Sequence, residues 1–320
     1  MTLRKISLLP ILSLFFTHQV YSQITAWPDT AVCGGNPVTL SSSVVDILGT
    51  TDYNITPIIP GTPEPFGGTG VTMSDDDFSG PYPIGFTFCF LGNSYTQFWV
   101  GSNGWVSFDN PPAGWTTFTP VSIPSTAATV PKNCIMGPWE DWHPGLCFGA
   151  CVEFQVLGNA PNRRLVVTWN NVPMFSCTST FGTFQIVIFE TTNVIENHLI
   201  NKPNCPQWVG GVGTQGLHDA SGTWALTVPG RNGTPWVTNN ESWRFTPNGN
   251  ALYEVEWFNQ NTGASEGIGN SVTVTPSTST DYVAQLTYLC NGAQFTDTVS
   301  VTTGAGLNVT LSLIHISEPT

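Results

Sequence analysis

IGFTFCFLGNSYTQFWVGSNGWVSF, residues Ile84 to Phe108, alternates aromatic with small residues and folds back on a Ser-Asn-Gly turn. Such alternation puts every second side chain on one face of an extended chain, which predicts strands over Ile84 to Leu91, Tyr95 to Ser102 and Trp105 to Phe108. Asn103-Gly104 joins the last two. Asn-Gly is the favoured pair for a two-residue type I′ hairpin because both residues tolerate positive φ. Trp105, alternating with Val106 and Phe108, is expected in a core. The segment predicts an all-β module.

Composition supports the same class. Charged residues are only 9% of the 320 and aromatics 12%, while 32 Gly and 25 Pro favour strands and turns over long amphipathic helices. Eight Lys or Arg against 21 Asp or Glu give a net charge of −13. Nucleic acid and anionic membrane would therefore be repelled, and neither is expected as a partner.

Arg4 and Lys5 precede an apolar run from Ile6 to Phe16 and then Val20-Tyr21-Ser22, the pattern of a secretory signal peptide cut after Ser22. The run is about half the length that spans a bilayer. An exported, soluble mature chain without membrane insertion is expected. All eight cysteines lie beyond the cleavage point, and an even count in an exported chain argues for four disulfides.

Further strand segments follow: Arg163 to Phe175, Phe184 to Cys205 around a Thr-Thr-Asn turn, and Val228 to Gly249, with GPWEDWHPG (Gly137 to Gly145) ahead of them. Together with the opening segment, their order resembles a β-rich module of large surface proteins in bacteria that use type IX secretion, and is similar in pattern to nidogen-type extracellular domains. The resemblance covers about residues 50 to 249 and implies a structural or adhesive role, with no catalytic residues to carry over. Ala26 to Val44 and Tyr253 to Thr303 resemble the two parts of an immunoglobulin-like repeat of the same protein class, Trp257 standing where such repeats bury a Trp. That resemblance implies a split sandwich with Cys33 bonded to Cys290.

The other pairings rest on position. Cys177 and Cys205 bracket a predicted hairpin and are expected to pair, a loop worth about 3 kcal/mol in the chain-entropy account. Cys147 and Cys151 can close a small loop, leaving Cys89 with Cys134. Zinc at Cys147, Cys151 and His143 is the alternative, disfavoured by an oxidising compartment and the lack of a second His at ligand spacing.

Three groups are candidate sites. Asp75, Asp76 and Asp77 form the one dense carboxylate cluster and suggest a Ca²⁺ loop, although they lack the alternate spacing of an EF-hand and also read as a solvated turn. Glu140 and Asp141, with His143, could supply acid and base for glycoside cleavage, but adjacent carboxylates rarely flank one bond. Asp141 reads better as an acceptor for loop amides. Trp115, Trp139 and Trp142, in Pro- and Gly-rich loops, are the candidates for sugar-stacking platforms, the other tryptophans reading as core. The histidines lack metal spacing, and no nucleophile elbow occurs.

Residues Leu311 to Thr320, LSLIHISEPT, are similar to a translated sequencing adapter and are set aside. The expected organisation is a signal peptide (1–22), a first immunoglobulin-like part (23–48), a nidogen-like β-sandwich (49–249), a second immunoglobulin-like part (250–304) and a linker (305–310), in a chain continuing naturally beyond Thr310. The expected function is non-catalytic recognition, at the cell surface or in a matrix, of an extracellular protein or glycan. A targeting module of a secreted hydrolase, or a plain spacer, are the alternatives.

Overall fold

The computed structural model describes residues 23–45, 48–112, 118–250 and 252–304. The signal-peptide segment, Trp115 and the adapter-like tail lie outside them. The regular structure of the described chain is nearly all strand, its only helical pieces being single 3₁₀ turns at Pro144–Leu146 and Val209–Gly211. No described helix is long and apolar enough to cross a membrane.

The chain divides into two compact units. The first comprises the described residues up to Val45, Val255–Leu286 and those from Phe295 onward. It carries a three-stranded sheet in the order Ile24–Trp27, Val38–Val44, Ser271–Val274, and a five-stranded sheet in the order Ser265–Ile268, Tyr253–Asn259, Thr280–Tyr288, Gln294–Gly304, Thr30–Cys33. Alternate residues of both sheets are buried, among them Leu40, Val274, Trp257, Tyr282, Ala284 and Leu286. Trp257 satisfies its indole N–H on the Gly269 carbonyl at 3.0 Å. Thr30–Cys33 runs parallel to Gln294–Gly304, Thr30 opposite Val301.

The second unit, Asp46–Glu254 with Thr287–Gln294, is a larger two-sheet sandwich. One sheet has seven strands in the order Gly49–Ile58, Thr238–Gly249, Ile195–Lys202, Cys177–Phe189, Arg164–Met174, Val152–Leu157, Thr69–Val71. The other has six: Ala225–Pro235, Val212–His218, Cys134–Trp139, Trp105–Ser107, Asn93–Gly101, Phe78–Phe90. Their inner faces share one aromatic-rich core. Phe88, Phe98 and Val106 meet Phe154, Trp169, Phe184, Ile186 and Phe245, all buried. Phe98 sits edge-on to Phe154, centroids 5.3 Å apart, and Trp169 stacks on Phe184 at 4.9 Å, geometries that suit ring quadrupoles.

The opening segment folds with two different turns. The two-residue turn is Leu91-Gly92, with φ of 47° and 83°, between the paired residues Phe90 and Asn93. At Ser102-Asn103-Gly104 the loop has three residues, because Gly101 pairs with Trp105. The Gly104 N–H donates to the Gly101 carbonyl at 3.3 Å and Gly104 alone has positive φ, 85°. This is a type I turn closed by a left-handed residue, not the expected type I′ pair.

Three disulfides form: Cys89–Cys290, Cys147–Cys151 and Cys177–Cys205. The expected Cys33–Cys290 and Cys89–Cys134 bridges do not. Cys290 belongs to the stretch Thr287–Gln294, which groups with the second unit, and is taken by Cys89 there. Cys33 is left an exposed thiol. Cys134 lies in a central strand opposite Ser107 and His218 and packs with Trp105, Met136 and Trp139, where a hydrophobic thiol fills space. Pairing of Cys147 with Cys151 also removes both as thiolate ligands for zinc.

Candidate functional site

Asn103, at the tip of the three-residue loop, is completely buried and organises one end of the second unit. Its Nδ2 donates to Asp76 Oδ1 at 2.9 Å, its Oδ1 accepts from the Trp142 backbone N–H at 2.8 Å, and its carbonyl accepts from the Glu140 N–H. Ser102 beside it exchanges two bonds with Asp77, donating its N–H to the Asp77 carbonyl and accepting the Asp77 N–H on Oγ. One hairpin tip thus ties the loop around residues 74–77 to the loop around 140–143. The amides of the second loop are served by Asn103 and by main-chain carbonyls, so the turn-fixing role expected of Asp141 falls to Asn103.

This leaves Asp141 free to face elsewhere. One ligand oxygen from each of Asp75, Asp76 and Asp141 lies within 4.8 Å of the others. Asp141 is only 5% exposed, and its Oδ1 is buried without a hydrogen-bond partner, as is Oδ1 of Asp75. Burial, followed by the charges of Asp76 and Asp75, pushes the Asp141 carboxyl up to about 8, tempered by the nearby Trp208 indole. Burial likewise raises Asp75, against the pull of His143, whose Nε2 stands 3.7 Å from Asp75 Oδ2.

Asp77 drops out of the carboxylate group predicted from sequence. Its Oδ2 accepts from the Ser74 N–H and hydroxyl, and its Oδ1 from the Phe78 N–H. It caps its own turn. The third member comes from more than sixty residues away, and no local pattern announces it.

Glu140 and Asp141 diverge. Glu140 is 2% exposed and pairs with Lys202, itself fully buried, which also donates to the Trp236 carbonyl at 2.6 Å. Burial raises Glu140 to about 8 even against Lys202, and burial lowers Lys202. A carboxylate sealed on a lysine in this way has no access to a glycosidic bond, and its neighbour points to Asp75 and Asp76.

The tryptophan platforms expected at Trp139 and Trp142 are core instead, both 0% exposed. Trp142 donates its indole N–H to Pro138 O at 2.8 Å and packs so tightly on Gly182 that a Cβ there would sit 2.4 Å from the ring. Trp139 ends a central strand whose six residues are all buried. The Gly137-Pro138 pair looked like a loop, but a register shift opposite, between Thr214 and Gly216, admits the proline to the sheet as bulges do.

The surface offers a different aromatic. The Cys147–Cys151 bridge closes a short loop that presents Phe148 fully exposed, with Leu146 half exposed beside it. The same loop borders a cleft of about 380 Å³ lined by Val71, Met73, Ser74, Pro144 and Gly145 among others. Ser74 and Pro144 adjoin Asp75 and His143 in sequence, so cleft and acidic trio share their loops. Phe148, flanked by a cysteine and a glycine, gave no periodic signal, and only the short Cys-x₃-Cys spacing hinted at a rigid tip.

No curated protein and no solved structure matches the chain. A family described as NIDO related matches residues 52–257, which contain both sheets of the sandwich apart from the first residues of its edge strand, and the Asn103-centred loops. The chain therefore belongs to the NIDO-related, that is nidogen-related, family.

Proposed function

We propose that the chain is part of an exported, non-catalytic cell-surface or matrix protein that recognises an extracellular protein or glycan. The observation that carries this reading is Phe148, a large apolar side chain held in water at the tip of a disulfide-closed loop beside a cleft. A rigid exposed aromatic is costly to keep in water and suits a contact residue, because little conformational entropy is lost when a partner covers it. Three disulfides and membership of the nidogen-related family support an extracellular setting. The disposition of Glu140 and Asp141 supports a binding rather than a hydrolytic role.

The test is display of the folded chain on beads against a panel of immobilised polysaccharides and matrix proteins, comparing wild type with Phe148→Ser and Leu146→Ser. Capture that falls at least tenfold in Phe148→Ser supports the reading. Capture by no member of the panel, or capture by both variants equal to that of the wild type, counts against it. Selective capture by one structural polysaccharide would favour the targeting-module version of the same role.

A further inference from the structure

We propose that Asp75, Asp76 and Asp141 bind one hard divalent cation, calcium, which bridges the 74–77 and 140–143 loops. Four observations converge on it. The three ligand oxygens lie within 4.8 Å of one another, about twice a calcium–oxygen bond of about 2.4 Å, so one ion can touch all three. The trio is not a surface accident, because Asp141 is 5% exposed, one of its carboxylate oxygens lies in the cluster and its Oδ1 is buried with no hydrogen-bond partner; native structures leave few such groups unexplained.

The third observation is how the neighbouring acids are treated. In the same unit Glu64 pairs with Arg164, Glu140 with Lys202, Glu190 with Arg163, Glu196 with Arg244 and Glu241 with Arg231. The aspartate trio has no Arg or Lys partner among the described residues. The polar side chains beside it are the Asn103 amide on Asp76, the His143 ring 3.7 Å from Asp75 and the Trp208 indole near Asp141, too little to offset three carboxyl groups gathered in one place.

The fourth is ligand chemistry. An all-carboxylate set selects a hard cation over zinc or copper. The trio is open on one side, Asp75 and Asp76 being partly exposed, so water can complete the six to eight oxygens calcium takes in irregular geometry. Three carboxylates held by loops, without a bidentate glutamate, match the weaker class of site, with Kd of about 0.1 to 1 mM.

The experiment uses the whole chain, stripped with EDTA and passed into metal-free buffer. Terbium luminescence excited through tryptophan, with Trp208 beside Asp141, should appear saturably and be displaced by calcium. Calcium at about 5 mM should raise the melting temperature, and magnesium at the same level should not. Asp75→Asn and Asp141→Asn should each weaken calcium binding at least tenfold, while circular dichroism stays that of the wild type. Asp77→Asn, which alters a turn cap, should leave the calcium Kd within twofold. The proposal is overturned if calcium neither shifts melting nor displaces terbium, if both trio variants bind as the wild type does, or if magnesium binds equally well.

Discussion

Replacing Asn103 by alanine tests whether one hairpin tip holds this end of the sandwich. The substitution removes a donor to Asp76 at 2.9 Å and an acceptor for the Trp142 N–H at 2.8 Å, at a residue with no solvent exposure. The Trp142 N–H keeps the Glu140 carbonyl at 3.1 Å, so losing its second acceptor costs about 0.5 to 1.5 kcal/mol, while losing a bond to a charged group costs about 1.5 to 3 kcal/mol, a sum of about 2 to 4.5 kcal/mol. Asp76 is partly exposed and regains some of its bond from water, which brings the expected loss to about 3 kcal/mol. For a unit of this size that corresponds to a melting point lower by about 6 to 12 °C.

Tryptophan fluorescence during urea unfolding is the assay. Ten of the twelve tryptophans lie between Asp46 and Glu254, so the signal reports mainly on the affected unit. The midpoint should fall while the slope stays unchanged, as befits a loss of native contacts without a change in buried surface. Asn93→Ala is the matched control. Asn93 is also at a hairpin, exposed, with one bond to the Leu91 carbonyl, and should change stability by less than about 0.5 kcal/mol. A loss below about 1 kcal/mol for Asn103→Ala, or one no larger than that of Asn93→Ala, would refute the reasoning.

Other outcomes follow from the packing and the charges. Gly182→Ala should destabilise by at least 1 to 3 kcal/mol, roughly the cost of overpacking, since its Cβ would lie 2.4 Å from the Trp142 ring; a neutral calorimetric result would mean the ring has room to move. Native thiol titration should label one cysteine, Cys33, with Cys134 reacting only in denaturant, because burial raises its thiol well above the usual range; two fast thiols would contradict the assignment. Cys290→Ser opens a bridge across 201 residues and should cost about 5 kcal/mol on the chain-entropy account, read by urea denaturation of oxidised protein. Arg163 hydrogen bonds hold Glu190 below its ordinary 4.5, so the stability it contributes is complete above that value and vanishes as pH falls through the depressed folded value. The melting gap between wild type and Glu190→Gln should accordingly shrink as pH falls below about 4.5, and a gap that widened would reverse the sign of the argument.

Much of the fold is legible in the sequence because it rests on local period. The alternation from Ile84 to Phe108 places Phe86, Phe88 and Phe90 where the structure buries them, and Gly104 turns where a glycine is needed. What is not legible depends on partners remote in sequence. Asn103 looked like a turn residue, yet its side chain is spent on Asp76 and Trp142, 27 and 39 positions away. Trp139 and Trp142 sit among Gly, Pro and acids that read as a loop, yet Trp139 ends a central strand that bulges at Gly137-Pro138, and Trp142 joins Met174 through a single bridge. Parity of the cysteines pointed to four bridges. Counting cannot reveal that Cys134 is a buried filler or that Cys290 groups with Cys89.

Charge scarcity links these features. The chain has eight Lys or Arg, six of them among the described residues, and five of those six are each committed to a glutamate. The sixth, Lys132, donates to the Thr126 carbonyl. Among the described residues no cation is left for a further buried carboxylate group, and a buried carboxylate without a counter-charge is costly whether it stays ionised or takes up a proton. Asp75, Asp76 and Asp141 are held in that situation by Asn103, at the loops bordering the cleft and the Phe148 tip. An inorganic cation is the one counter-charge that needs no residue from the chain. Calcium at the proposed site would draw the two loops together through the trio, so the shape of the proposed recognition edge would depend on the calcium around it.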